Sequence, residues 1–382
     1  MAPVWSSQPF KALYTVFVLL KTPPTLLLLF VRYLVTRFRP SPEWSIKTSL
    51  VCAGMRALFQ YVVATRSQLL LYAAPDKAKD RHTRIRPHED GSYHGVLSAC
   101  QEVRPSEVDA VWFPGPPPTG SPDAVKQMQR VVLHFPGGAF VMAFGHTDMG
   151  QDLSDTMAKH LRATNTVWAQ YRLSGSPGTC FPAALQDALT FYRYILSLGV
   201  PASNVILSGD SAGGNIAIAL LRYLETGQAG IEKPLPTPGG VVAFSPWVHV
   251  TRRAGLDYTE SSNSDKDMLV PALLQWGAEA YLPDGELSAE VSAYVSPLGH
   301  PFRIATPLFI HAGTAEAFHR DIQRFAGEMT DLNGGLVEYN ETAHAPHNLL
   351  LAGKGLGLEG ELAVAVDAAC EFLEAGRNGR GH

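Results

Sequence analysis

From residue 131 onward, short apolar runs alternate with longer stretches whose apolar residues recur at three- and four-residue steps. The runs fall at 131–135, 166–171, 205–207, 241–244, 308–311 and 336–339, and the helical stretches chiefly at 183–198, 213–225, 322–332 and 361–374. Strand, helix, strand in repetition predicts a mostly parallel sheet covered by helices on both faces. Val131-Val132-Leu133 and Val241-Val242-Ala243 show no polar alternation, as expected of strands buried on both sides. Loops at the carboxyl ends of such strands are where chemistry belongs.

The N-terminal third reads differently. Residues 10–38 are mostly apolar and long enough to cross a bilayer as a helix of about 20 residues, though interrupted by Lys21, Pro23 and Pro24. The run ends in Arg32, Arg37, Arg39 and Pro40 rather than a small-residue cleavage site. An uncleaved anchor, single-pass or re-entrant, therefore fits better than a signal peptide, with the endoplasmic reticulum as the expected membrane. An amphipathic segment at the bilayer surface and an apolar lid helix stay open as readings. Lys and Arg are denser after the stretch, which favours a cytosolic catalytic part, whereas Asn340-Glu341-Thr342 is a glycosylation sequon.

Residues 46–71 have helical spacing, 75–94 are charged and loop-like, Trp112 and Phe113 close a short strand, and 113–122 form a Pro- and Gly-rich connector. The expected organisation is a membrane-anchor segment over 1–45, cap helices and first edge strands over 46–130, and a catalytic domain over 131–382 with a cap insertion at about 248–296.

With 382 residues, 46% of them hydrophobic and 17% charged, the chain can bury a large α/β core. A net charge of -4 and the lack of any interleaved aromatic and basic stretch exclude a nucleic-acid partner. Cys52, Cys100, Cys180 and Cys370 stand far apart without a CxxC pair, which argues against a zinc site or a disulfide scaffold and for buried free thiols.

The chemical signal begins at Gly209-Asp210-Ser211-Ala212-Gly213, a GxSxG pattern between an apolar run and a helical stretch. The small flanking residues suit a strained turn that lifts a nucleophilic hydroxyl out of the sheet, beside the N–H groups that open the next helix. Directly after another strand comes His134-Phe135-Pro136-Gly137-Gly138-Ala139. Small residues there let backbone N–H groups of Gly137, Gly138 and Ala139 approach an oxyanion, with Ala212 as a further donor. A serine nucleophile needs a base and an orienting acid, in the chain order serine, acid, histidine. Glu316 lies just past the strand at 308–311, where it can reach a histidine, and Asp321 is placed about a turn and a half into the following helix. His344 and His347 share the loop after the last strand. Phe140, Met142, Phe144 and Trp247 are candidates for an apolar substrate pocket.

Taken together, HFPGGAF, YRLS, FPAALQDAL, GDSAGGN, FSPW and APHNLLL make the chain resemble the hormone-sensitive-lipase-like α/β-hydrolases, and within them the fungal branch related to steryl acetyl hydrolases. The resemblance implies an α/β-hydrolase fold with a helical cap and an N-terminal membrane-anchor helix, and no cofactor or metal. It also implies serine carboxylesterase or deacetylase chemistry on a small apolar ester, a sterol or secondary metabolite among the possibilities. Ser211 would then be nucleophile, His347 base, Glu316 acid, and Gly138, Ala139 and Ala212 oxyanion donors. Two positions depart from the family: Pro136 stands where its HGGG loop has histidine, with Ala139 at the third glycine, and Glu316 stands where it usually has aspartate. Two other readings stay open. One is an amide-cleaving or non-hydrolytic enzyme of fungal secondary metabolism, and the other a binding protein of this fold without catalysis.

Overall fold

The computed structural model describes residues 3–69, 75–88, 93–118, 122–144, 148–228 and 233–378. The expected loop at 75–94, the connector at 113–122 and the helical stretch at 46–71 each extend partly outside these residues. In chain order the first half contains α1 (Phe10–Tyr33), α2 (Ile46–Thr65), β1 (His82–Ile85), β2 (Val108–Phe113), α3 (Pro122–Lys126), β3 (Val131–Phe135), α4 (Asp148–His160), β4 (Asn165–Gln170), α5 (Ala183–Ser197) and β5 (Val205–Asp210). There follow α6 (Ala212–Thr226), β6 (Gly240–Phe244), α7 (Ala254–Glu260), α8 (Pro271–Tyr281), α9 (Ala289–Val295), β7 (Leu308–Gly313), α10 (His319–Asn333), β8 (Val337–Thr342), α11 (Leu349–Leu356) and α12 (Glu359–Asn378).

The strands form one sheet in the order β1-β2-β4-β3-β5-β6-β7-β8. β1 and β2 pair antiparallel at one edge, and every pairing from β4 to β8 is parallel. The six expected strands are β3 to β8, and the sheet runs on across residue 130 to take in β1 and β2. Every residue of β3, β5, β6 and β7 is buried, which explains their unbroken apolar runs. Buried rings such as Phe135 and Phe191 between sheet and helices each contribute about 1.5–3 kcal/mol.

Three features differ from the sequence reading. α1 runs through Pro23 and Pro24 as a single helix, so the two prolines do not interrupt it. Its 24 residues make it long and apolar enough to cross a membrane, by length and composition. α10 begins at His319, so Asp321 lies in its first turn. All four cysteines are free, but Cys100 and Cys180, distant in sequence, face each other and are only half-buried. Burial and the Cys100 thiol raise Cys180 to about 11.

α2 starts cleanly because Ser45 Oγ accepts the Thr48 N–H at 2.9 Å. It packs against α1 on one side and against α8 and α11 on the other. The insertion at about 248–296 holds α7, α8 and α9, so α2 and this insertion together lie over the carboxyl ends of β5, β7 and β8.

Candidate active site

Ser211 occupies the turn between β5 and α6 with φ 52° and ψ −120°, a backbone conformation that costs energy and persists only where neighbours enforce it. They do so here: its N–H donates to the Phe244 carbonyl at 3.0 Å, and its own carbonyl accepts from Trp247 at 2.9 Å. Glycine at 213 is required because a side chain there would collide with the Phe135 carbonyl.

Glu316 and His347 meet at the ends of β7 and β8. Glu316 Oε2 is 2.7 Å from His347 Nδ1, and both residues are buried. The other carboxylate oxygen accepts the Gly313 N–H at 2.6 Å and the Ser245 hydroxyl at 3.0 Å. These donors offset part of the cost of a buried carboxylate. Burial still raises the Glu316 pKa, with the His347 hydrogen bond acting against it. For His347, burial disfavours the imidazolium, but the Glu316 hydrogen bond and the charges of Glu316, Asp267 and Asp210 outweigh it and raise its pKa. Ser211 and His347 both line one cavity of about 190 Å³.

The loop after β3 faces the same cavity. Gly137, expected among the oxyanion donors, is not free for that role, since its N–H donates to Asp210 Oδ2 at 3.0 Å. Among the described residues the N–H groups of Gly138, Ala139 and Ala212 have no acceptor, and Gly138 and Ala139 line the cavity with Ser211. Left-handed φ values of 134° at Gly138 and 50° at Ala139 turn this loop. Pro136, which departs from the family pattern, is held through its carbonyl by the Tyr171 hydroxyl at 2.7 Å.

The rival candidates lie elsewhere. His344 is exposed, 3.8 Å from Glu43, and its carbonyl accepts the Trp44 indole N–H. Asp321 pairs with His249 at 3.3 Å. Of the four proposed pocket residues, Phe144 lines the cavity, whereas Phe140 stacks on Tyr281 at 3.6 Å and on Trp247 at 5.7 Å as packed core. Met142 is likewise buried away from it.

Four positions that the sequence did not single out for the site hold it in place. Asp210 Oδ2 also accepts the Asn348 amide at 2.6 Å, tying the oxyanion loop to the histidine loop. Ser245, besides donating to Glu316, accepts the Asn348 N–H at 3.1 Å. Asp267, fully buried, accepts the His347 N–H at 3.1 Å and the Ala317 N–H at 2.9 Å. Asp210, Ser245 and Asn348 lie within the motifs GDSAGGN, FSPW and APHNLLL but were given no role there, and Asp267 carried no local signal.

A family profile described as the alpha/beta hydrolase fold matches residues 132–351. The chain belongs to the α/β-hydrolase fold family. This hydrolase is 30% identical over 226 residues to an acetyl-hydrolase of Streptomyces hygroscopicus, a match covering 58% of this chain and 70% of that one. It is 29% identical over 207 residues to the carboxylesterase/phospholipase LipF of Mycobacterium tuberculosis, spanning 52% of this chain and about half, 51%, of LipF. A shorter stretch of 107 residues, 26% of each chain, is 35% identical to neutral cholesterol ester hydrolase 1 of Mus musculus. Among solved structures, an esterase of the bacterial hormone-sensitive lipase family superposes with a TM-score of 0.58 at 20% identity, covering 86% of this chain and 99% of that one. With the profile and these relatives, the hydrolase is of the hormone-sensitive-lipase-like kind.

Proposed function

We propose that this hydrolase cleaves a carboxylic ester through an acyl-serine intermediate, with Ser211 as nucleophile, His347 as general base and Glu316 as the acid that orients it. The observation that carries this reading is the 2.7 Å contact of buried Glu316 with His347, at a cavity that Ser211 shares. His347 Nε2 takes the hydroxyl proton as Ser211 Oγ attacks the ester carbonyl. The oxyanion is received by the unoccupied N–H groups of Gly138, Ala139 and Ala212, and the positive end of α6 adds to their field. His347 then protonates the departing alcohol, and a water activated by the same imidazole releases the acid. Glu316 fixes the imidazole with Nδ1 protonated, which leaves Nε2 free to accept.

The substrate is an ester of a small apolar molecule. A cavity of about 190 Å³ walled by Met55, Phe59, Leu273 and Leu274 supports a short acyl group or a compact apolar alcohol. The relatives' names, acetyl-hydrolase and neutral cholesterol ester hydrolase, support acetylated or sterol-like esters. Residues 1–45 attach the protein to a membrane through α1, whose outward leucines and valines are exposed; the endoplasmic reticulum is the membrane expected from the sequence. Within residues 46–130, α2 joins the insertion at about 248–296 as the cap, while β1 and β2 extend the sheet of the catalytic domain at its edge.

Steady-state hydrolysis of p-nitrophenyl acetate tests the assignment. Wild-type protein turns the ester over and Ser211→Ala does not; equal turnover by both would remove Ser211 from the mechanism.

A further inference from the structure

Part of the apolar surface of α1 is already occupied. Tyr14, Val18, Thr22, Leu26 and Tyr33 recur at three- and four-residue steps or their sums and line the two grooves along α2. Near its start, Tyr14 stacks on Tyr61 at 6.2 Å and Thr15 Oγ1 lies 3.0 Å from the Tyr61 hydroxyl. Near its end, buried Tyr33 shares a groove with Cys52 and Arg56. The beginning of α1 thus meets the end of α2, so the pair is antiparallel and held at both ends of α1, by Tyr14 and Thr15 on Tyr61 and by buried Tyr33.

α2 is in turn bolted to the catalytic body by polar groups. Arg56 donates to the carbonyl oxygens of Ser264 at 2.9 Å, Asp265 at 3.2 Å and Asp267 at 2.5 Å. Thr48 donates to the Leu356 carbonyl at 3.0 Å. A crossing α1 would carry this whole layer with it into hydrocarbon. Lys21, Arg56, Asp265 and Lys266 all line the groove between the helices, and each would have to be desolvated there. The opposite side of α1 asks for hydrocarbon: Leu13, Leu20, Leu27, Leu28 and Val31 are exposed, and Arg32 and Arg37 at its end suit anionic headgroups.

We infer that α1 lies in the plane of the bilayer, its outer face sunk into one leaflet and its inner face on α2, instead of crossing the membrane. The inference rests on the membrane attachment proposed above and fixes its geometry. On its far side α2 presents Val51, Met55 and Phe59 to the Ser211 cavity. The reacting centre then stands about one helix diameter, ~10–12 Å, behind the helix that rests in lipid. The substrate this arrangement serves is an ester dissolved in that leaflet.

The test uses the full-length protein with a short epitope tag at each end, inserted in sealed microsomes and treated with protease before and after detergent. An in-plane α1 leaves both tags on one side, so they are cut together or protected together while the protein floats with the membranes. Tags on opposite sides overturn the inference and leave membrane attachment standing. Protein that stays in the soluble fraction, as a monomer or as a dimer joined through α1, overturns both and leaves the ester hydrolysis untouched. In a second arm, Leu20→Asp with Leu28→Asp is expected to lower binding to phosphatidylcholine/phosphatidylserine vesicles at least tenfold, with p-nitrophenyl acetate hydrolysis unchanged. Undiminished vesicle binding in that variant would contradict a lipid-facing role for this side of α1.

Discussion

Asp267 accepts the backbone N–H of His347 at 3.1 Å, from a position eighty residues earlier in the chain. Its second oxygen accepts the Ala317 N–H at 2.9 Å, so one buried carboxylate joins the loop of the acid to the loop of the base. A carboxylate accepts from both loops at once, whereas an asparagine in the same place offers one acceptor oxygen and turns a donor toward the other N–H. Asp267→Asn is expected to lower kcat/KM about 10- to 100-fold, the scale of one lost hydrogen bond to a charged group. The charge of Asp267 also helps to raise the His347 pKa, and the reaction needs His347 neutral. Removing it moves the acid limb of the kcat/KM profile to lower pH, a shift that a loss of packing alone would not produce.

Glu316→Gln makes a related but larger change. The amide cannot hold the imidazolium, and kcat is expected to fall about 10⁴-fold, as for loss of the orienting carboxylate in other serine triads. Because Glu316 raises the His347 pKa, the residual activity should titrate with an acid limb below that of the wild type. His344→Ala, by contrast, should leave kcat/KM within about twofold, since that side chain is exposed and turned toward Glu43.

Gly138→Ala tests the oxyanion loop. A side chain at this φ of 134° would strike the Met142 carbonyl, displacing the N–H groups of residues 138 and 139. Loss of one such donor typically costs about 10²–10³ in kcat, and that loss with KM little changed is the expected result.

Met55→Ala tests the cavity wall contributed by α2. The extra space should raise the preference for p-nitrophenyl butyrate over acetate about tenfold, the scale set by a methylene or two in an apolar pocket. A ratio equal to that of the wild type would place Met55 outside the path of the substrate.

What the sequence revealed is what it encodes locally. Strands β3, β5, β6 and β7 announced themselves because each is buried on both faces and so written as an apolar run, and Gly209-Asp210-Ser211 marked a strand-to-helix turn through its own small residues. β1 was harder to see: His82 and Arg84 are an edge strand's polar residues, paired with Asp109 rather than with a core. The roles of Asp267 and Ser245 were invisible because their partners are backbone groups and side chains 50 to 103 positions away. Gly137 misled for a related reason. Its spacing is right for an oxyanion donor, and only the fold shows that Asp210 has taken its N–H. The aromatic residues at 140 and 247 were read as pocket because apolar character cannot distinguish a lining from a stack; their rings lie 5.7 Å apart in the core.

The central claim is that Ser211 becomes covalently acylated, and intact-mass spectrometry with a fluorophosphonate ester reads it directly. The account predicts one adduct per wild-type chain, mapped to the peptide containing Ser211, none on Ser211→Ala, and much slower labelling of His347→Ala. Stoichiometric labelling of Ser211→Ala at another residue would contradict it.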